Sequence, residues 1–296
     1  MTQNLIQMPS DELMEPGHLA CPGCGAALTM RWVLKGLGRK TILVVPACCW
    51  SVIDGAAPLS AVKVPLLHTA FETAACTAAG VKAGMVMRGD TETNVVAWAG
   101  DGGTFDIGLQ ALSAVAERNE DIIYVCYDNE AYMNTGIQRS SATPMGAWTT
   151  TTPVGGLKRE FKKDIVGILA AHRVPYIATA ALSHPEDLLR KVNRARHTRG
   201  FRFLHILSPC PPGWKTENSE TIKIARAAVN SRFFPLLEIE DGIRYQLMDI
   251  PNPIPVSEYI SMQDRFRFLD EAAIHEIQHQ VDANWRRLEH LCALPA

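Results

Sequence analysis

The sequence predicts an α/β protein in which helices cover both faces of a parallel sheet, followed by a C-terminal extension. Short runs rich in valine and isoleucine recur along the chain, for example at residues 41–45 and 94–99. Longer stretches of helical composition, such as residues 107–117, separate these runs. Strands that alternate with helices at this spacing are typical of a parallel sheet buried on both faces.

The individual elements follow from the same patterns. The predicted strands are residues 41–45, 94–99, 121–127 and 201–207, and the predicted helices are residues 69–87, 107–117, 163–171 and 185–196. After about residue 215 the pattern changes. Residues 233–238 and 243–247 indicate a hairpin, because Asp241-Gly242 is a turn signal. Residues 257–291 mix apolar and charged residues and predict one or two amphipathic helices.

These patterns divide the chain into two parts. We expect an α/β domain over residues 1–215 and an extension over residues 216–296, which packs on the domain or on a partner subunit. Neither part is predicted to bind a membrane, because no apolar run reaches the roughly 20 residues that span a bilayer.

Composition excludes several classes of protein. The chain is 47% hydrophobic and 20% charged, with a net charge of −2, which fits a globular protein and not a nucleic-acid binder. The N-terminus lacks the basic and apolar regions of a secretory signal. The eight cysteines are too sparse for a disulfide scaffold and are better explained as reduced thiols or metal ligands. We therefore expect a cytoplasmic protein.

The strongest chemical motif follows two of the predicted strands. Gly100-Asp101-Gly102 ends one strand and Asp128-Asn129 ends the next. Ligands of parallel sheets bind beyond the carboxyl ends of the strands. Glycines let the backbone approach a phosphate, and the next helix offers free N–H groups. Asp101 and Asn129 supply the oxygen ligands that magnesium prefers. The sequence predicts a site for Mg²⁺ and an organic diphosphate.

The spacing of this motif indicates which organic diphosphate is bound. Between Gly102 and Asn129 lie 26 residues, enough for one helix and one strand. The pattern resembles the thiamine diphosphate signature, although Asp128-Asn129 stands where Asn-Asn is commonest.

The cysteines suggest a second site. Cys21-Pro-Gly-Cys24 aims two thiols at one point, which suits half a zinc site, a redox pair or part of an iron–sulfur site. Further ligands are available at Cys48 or Cys49, after a strand, and at Cys210 in Ser-Pro-Cys-Pro-Pro-Gly. The residues alone do not distinguish these alternatives.

Two stretches extend the resemblance to a family. Residues 100–108 and 129–138 resemble those of 2-oxoacid:ferredoxin oxidoreductases, the pyruvate:ferredoxin oxidoreductase (pyruvate synthase) family, and the chain looks like their β subunit. The resemblance implies the diphosphate-binding half of the thiamine diphosphate fold. It implies magnesium ligands at Asp101, Asn129 and the Ala131 carbonyl, and Asn134 as the catalytic residue that faces the reacting carbon. The other implied cofactor contacts are Gly100, Gly102, Gly103, Thr135 and Gly136.

Two further assignments concern the cysteines and His68. Matched to the family, Cys21, Cys24, Cys49 and Cys210 would hold a 4Fe–4S cluster, and this match alone selects Cys49 over Cys48. A tight turn at His68-Thr69, ahead of a helix, is expected either to approach the cofactor or simply to cap that helix with a packed histidine.

The implied activity is the oxidative decarboxylation of a 2-oxoacid, with transfer of the acyl group to coenzyme A and of electrons through the cluster to ferredoxin. Pyruvate is the leading substrate; a branched-chain 2-oxoacid, an aryl one such as phenylglyoxylate, or oxalate are alternatives. The chain shows one α/β unit and no further ferredoxin-type cysteine run. An α subunit with the pyrimidine-binding domain, and γ and ferredoxin-like δ subunits, are therefore expected partners. The rivals are a non-redox thiamine enzyme and a catalytically silent, zinc-stabilised scaffold subunit.

Overall fold

An eight-stranded mixed sheet forms the centre of the computed structural model, which describes residues 9–294. The strands are β1 (Thr41–Pro46), β2 (Leu66–Thr69), β3 (Asn94–Gly100), β4 (Ile123–Asp128), β5 (Tyr176–Ala181), β6 (Arg202–Leu207), β7 (Leu237–Glu240) and β8 (Arg244–Leu247). Across the sheet their order is β2-β1-β3-β4-β6-β5-β7-β8. Strands β1 to β6 pair in parallel, and β7 and β8 join antiparallel. The predicted parallel α/β architecture is confirmed.

Helices cover both faces of this sheet. They are α1 (Gly25–Leu37), α2 (Trp50–Ile53), α3 (Ala74–Met87), α4 (Leu109–Glu117), α5 (Ile165–Ala170), α6 (Pro185–His197), α7 (Pro211–Trp214), α8 (Thr221–Asn230), α9 (Val256–Ser261) and α10 (Glu271–Ala293). A π-helical turn, Gly102–Asp106, precedes α4. Within the described part of the chain, none of these helices has the length and apolar character needed to cross a membrane.

Alternation along β3 explains how its two faces are packed. Trp98 lies on the face covered by α1 and α6, where its ring meets Trp50 edge-on at 6.1 Å and stacks on Tyr127 at 5.8 Å. Ala97 and Ala99 point to the opposite face, where small side chains let the alanine-rich α3 lie close to the sheet. Burying a large apolar side chain contributes about 2–3 kcal/mol, so both faces stabilise the central strands.

The region around residue 69 differs from the prediction. A helix over residues 69–87 with a tight turn at His68-Thr69 was expected; that turn is absent, and residues 66–69 instead form strand β2, which pairs with β1 through Val45 opposite His68. The helix begins only at Ala74. Strand β2 was missed because it is a four-residue edge strand with a partly exposed side-chain pattern, which has no clear period.

The predicted hairpin exists and extends the main sheet, but its first strand is Leu237–Glu240 and not residues 233–238. Asp241 and Gly242 both have positive φ, 52° and 70°, as a tight hairpin turn requires. Strand β7 pairs with β5, so the sheet continues across the proposed boundary at residue 215, which stays a prediction. The last helix, α10, buries Trp285 and Leu288 against the rest of the described chain. Residues 1–8 and 295–296 of the two predicted parts lie outside the described residues.

A charge cluster at the opposite end of the sheet from the carboxyl ends of β3 and β4 holds three segments together. Asp121 pairs with Arg202 at the start of β6 and with Lys82 Nζ on α3 at 3.2 Å, and both cations are almost fully buried. Burial acts to raise the pKa of Asp121, but Arg202 and Lys82 outweigh it and hold that pKa below its ordinary value.

We expect Asp121→Asn to lower the free energy of unfolding by about 2 kcal/mol at pH 7, because it leaves two buried cations without their counter-charge. A depressed folded pKa contributes stability above the unfolded pKa of about 3.9 and loses it as pH falls through the folded value. Urea denaturation should therefore show the difference from the original protein closing below about pH 4. Glu117→Gln, on the exposed side of α4, is the control; a difference that is constant with pH would contradict the assignment.

Candidate cofactor and metal sites

The topology brings Cys49, Asp101 and Asn129 to the carboxyl end of the parallel strands. The chain leaves β1 for the outer strand β2 and returns on the other side of β1 as β3. Such a reversal opens a crevice beyond the carboxyl ends of the strands, where ligands of α/β proteins bind. Cys49 follows β1 and Asp101 follows β3 at this crevice, and Asn129 follows the neighbouring strand β4.

Three polar groups converge beside β3 and β4. One end of the Asn129 side-chain amide lies 2.9 Å from Asp101 Oδ1 and 3.0 Å from the Ala131 carbonyl oxygen. Hydrogen bonding orients the amide nitrogen toward these two acceptors. A half-turn of the amide would present its oxygen at the same point. Carboxylate, amide and backbone oxygens directed at one point fit the ligand set of Mg²⁺.

The environment of the Asp101 carboxyl group favours a nearby cation. Its side chain is buried, and burial, followed by the nearby Asp128 carboxylate, raises its pKa well above the ordinary value. The Ser140 hydroxyl donates to Asp101 Oδ2 at 2.5 Å. A divalent cation beside Oδ1 would offset the cost of keeping this carboxylate ionised out of water.

Asp128 has the opposite electrostatic environment. Burial alone would raise its pKa, but Lys162 Nζ at 2.5 Å and His205 Nε2 at 2.6 Å from Oδ2 lower it to about 2. The Asp128 carboxylate is therefore held ionised by Lys162 and His205. Sequence reasoning missed Ser140, Lys162 and His205. Only His205 gave a signal, as a polar residue within an apolar strand.

Aromatic rings lie against the glycine turn. A Cβ on Gly102 would lie 2.1 Å from Tyr132 Cε1, and one on Gly103 would lie 3.2 Å from Phe71 Cε2. Tyr132 Oη donates to Asp106 Oδ2 at 2.6 Å, which anchors the ring over the π-helical turn. Gly102 is thus required for the close packing of Tyr132, whereas Gly103 only fits closely against Phe71; the sequence did not predict these contacts.

The residues after Ala131 lie at the surface. Asn134 lines a cavity of about 220 Å³. Thr135 is exposed and bonds to Gln138, and Gly136 has a φ of 117° that favours glycine. His68 stands apart on the edge strand β2, where Nε2 lies 3.8 Å from Asp54 Oδ2, and it does not line this cavity.

The same cavity collects four thiols from separate parts of the chain. It is lined by Cys21, Cys24, Cys49 and Cys210, together with Asn129 and Asn134. Burial raises the pKa of Cys210 to about 12, with nearby Cys24 and Cys21 adding to the effect. Among residues 9–294, no three His, Cys, Asp or Glu side chains converge as ligands of a single ion. The four thiols instead line the walls of this cavity.

Cys49 and its neighbour Cys48 point in different directions. Cys49 Sγ lies in the cavity, 4.0 Å from the side-chain amide of Asn129. Cys48 does not line the cavity; its thiol lies beside Tyr127, and burial raises its pKa. Cys49 is thus the thiol that faces the other three.

Comparison with protein families first defines a class. Residues 49–206 match the model of the thiamine pyrophosphate enzyme, C-terminal TPP binding domain, where thiamine pyrophosphate is another name for thiamine diphosphate. This match contains the glycine turn, the Asn129 turn and Asn134. The chain therefore carries a thiamine diphosphate-binding domain.

Curated relatives define the family more closely. The ketoisovalerate oxidoreductase subunit VorB of Pyrococcus abyssi is 48% identical over 97% of this chain and 95% of its own. The pyruvate synthase subunit PorB of Methanothermobacter marburgensis is also 48% identical, over 94% and 98%. A 2-oxoglutarate:ferredoxin oxidoreductase structure from Magnetococcus marinus shares the fold, with a TM-score of 0.59 and 23% identity over 75% of this chain and 81% of that one. This protein belongs to the thiamine-dependent 2-oxoacid:ferredoxin oxidoreductase family and corresponds to its β subunit.

Proposed function

We propose that this chain is the β subunit of a coenzyme A-acylating 2-oxoacid:ferredoxin oxidoreductase that binds Mg²⁺, thiamine diphosphate and a 4Fe–4S cluster. The observation that carries the proposal is the closeness of two sites. The Asn129 amide touches Asp101 and Ala131 at one end, and its other end lies 4.0 Å from Cys49 in the four-cysteine cavity. One side chain thus connects the oxygen ligands to the thiols.

The oxygen-lined site suits a magnesium diphosphate. Asp101, Asn129 and the Ala131 carbonyl would hold Mg²⁺, and the backbone at Gly100, Gly102 and Gly103 would contact the diphosphate. Thr135 and Gly136 would lie near the diphosphate, and Asn134 would face the reacting carbon. His68, on the neighbouring edge strand, stays a predicted contact. Bound thiamine diphosphate supplies the nucleophilic carbon and electron sink for decarboxylation.

The chain's own groups would prepare this site. Ser140 holds the Asp101 carboxylate by one oxygen and leaves Oδ1 facing Asn129. Apolar side chains, including Met133 and Ile137, line the cavity where Asn134 lies and limit its hydration. Asn134 carries an uncharged amide, so it can orient a substrate by hydrogen bonds without gaining or losing a proton.

The four thiols fit a polynuclear cluster. Cys21, Cys24, Cys49 and Cys210 surround one cavity, where a cluster supplies a one-electron acceptor when bound. Burial raises the pKa of Cys24, Cys49 and Cys210, which favours protonated thiols, so cluster assembly would displace protons from these three sulfur atoms. All eight cysteines are free thiols, which suits the reducing cytoplasm that we propose as the location.

The proposed enzyme also requires partner subunits. Residues 9–294 contribute a single sheet, and the described chain contains no second α/β unit that could bind the aminopyrimidine ring. An α subunit would provide that domain and its activating glutamate. The γ and δ subunits, separate or fused, would complete the substrate site and carry electrons to ferredoxin.

The function is tested by purifying the chain with its native partners and assaying 2-oxoacids with coenzyme A and an electron acceptor. We expect acyl-coenzyme A formation with pyruvate. The relative named ketoisovalerate oxidoreductase supports a branched-chain 2-oxoacid as the second candidate. Aryl 2-oxoacids and oxalate complete the panel. Lack of activity with every 2-oxoacid, in a complex that contains thiamine diphosphate and iron, would contradict the proposal.

Asp101→Ala should abolish retention of thiamine diphosphate, because it removes the anionic magnesium ligand at the end of β3. Cofactor content and magnesium are measured in the purified complex. The broad visible absorption of the cluster, at about 400 nm, should persist, since the thiols are untouched. Asp249→Ala, at an exposed position after β8, controls for charge loss. Parallel loss of cofactor and cluster would indicate misfolding.

Cys49→Ser should bleach the cluster absorption and lower the iron content. Cys48→Ser is the matched control and should retain the cluster, because the Cys48 thiol points away from the cavity. The reverse result would transfer the ligand role to Cys48.

A further inference from the structure

The turn that follows β4 has an unusual backbone. Glu130, between Asn129 and Ala131, has a φ of 67°, in the left-handed region that non-glycine residues seldom adopt. This conformation brings the Asn129 side chain and the Ala131 carbonyl to the same point beside Asp101. A strained conformation persists only where surrounding contacts enforce it. The contacts of Glu130 therefore control the geometry of the proposed magnesium ligands.

Two cations hold the Glu130 side chain, which is 1% exposed. Arg265 Nη2 donates to Glu130 Oε2 at 2.6 Å, and Lys162 Nζ donates to Oε1 at 2.9 Å. Lys162 also binds Asp128, so its charge is divided between two carboxylates. Arg265 has Glu130 as its carboxylate partner in the ion pairs of the described chain.

Arg265 reaches the turn by a second path. Its guanidinium lies 3.9 Å from the centre of the Trp214 ring, and Trp214 Nε1 donates to the Asn129 carbonyl oxygen at 2.8 Å. Gln263 Oε1 accepts from Arg265 Nε at 2.9 Å and orients the guanidinium. Arg265 thus supports the turn at Glu130 directly and at Asn129 through Trp214. It belongs to the C-terminal extension, more than a hundred residues beyond the turn.

We propose that Arg265 is a positioning residue of the magnesium–diphosphate turn, so that the C-terminal extension sets the affinity of this site for its metal and cofactor. The inference rests on the proposed function, because it assigns the turn to magnesium. Arginine suits the role, since its planar fork can bind a carboxylate, donate to an amide and stack on an aromatic ring together. A lysine at this position would keep the charge and lose the stacking and the second donor.

The test uses the co-purified complex and measures the Kd for Mg²⁺ at saturating thiamine diphosphate, and the Kd for thiamine diphosphate at saturating Mg²⁺. We expect Arg265→Met to weaken both by about tenfold or more, and Arg265→Lys to give an intermediate loss. Saturating metal and cofactor should restore kcat in both variants, because Arg265 touches no reacting group. Tryptophan fluorescence should also change in Arg265→Met, since Trp214 loses its stacked cation.

Arg267→Met is the matched control. Arg267 is an exposed arginine of the same extension that stacks on Phe268 at 4.6 Å, and its loss should leave both Kd values unchanged. Arg265→Lys retains a cation opposite Glu130 and so keeps the fold testable should Arg265→Met fail to fold. Unaltered affinities in folded Arg265→Lys and Arg265→Met would overturn the inference. So would a kcat that saturation fails to restore, or equal loss of cluster absorption and affinity.

Failure of the proposed function gives a different result. A complex that binds neither Mg²⁺ nor thiamine diphosphate before any substitution would contradict the proposed function. Normal binding by the Arg265 variants, together with loss of binding in Asp101→Ala, would contradict only the role of Arg265.

Discussion

Burial of negative charge at the carboxyl ends of β3 and β4 is the constraint on which the rest of this site depends. Asp101, Asp128 and Glu130 are each at most 1% exposed. Removing an ionised carboxylate from water costs several kcal/mol unless partners replace the water. Lys162, His205 and Arg265 supply that compensation for Asp128 and Glu130. Within residues 9–294, Asp101 receives only neutral donors at hydrogen-bond distance, which fits a carboxylate that meets a metal ion.

Lys162 and Arg265, the two cations among these partners, tie distant parts of the chain to one turn. Lys162 comes from the loop before α5, and Arg265 comes from the segment between α9 and α10. This loop and this segment, which show no catalytic motif, therefore share in the electrostatics of the site. Removing one member of such a network leaves the other charges buried without a partner, so its members depend on one another.

Much of the fold could be predicted because its strands are buried on both faces. The apolar composition of residues 94–99 predicts a strand, and β3 is buried along its whole length. Strand β2 could not be found in this way, because an edge strand is half exposed and its composition is ambiguous. The π-helical turn was also missed, since it depends on the packing of Tyr132 and Phe71 over adjacent glycines.

For the site, the sequence by itself determined the family and the thiamine diphosphate-binding domain. Asp101 and Asn129 are recognisable because strand ends and their spacing are local properties, and the family comparisons confirm the thiamine-binding domain. Only the tertiary structure decided which thiol of the Cys48–Cys49 pair faces the cavity, because side-chain direction depends on packing against Tyr127. It alone brought Lys162 and Arg265 to the turn, since no local pattern records which distant cation will neutralise a buried carboxylate.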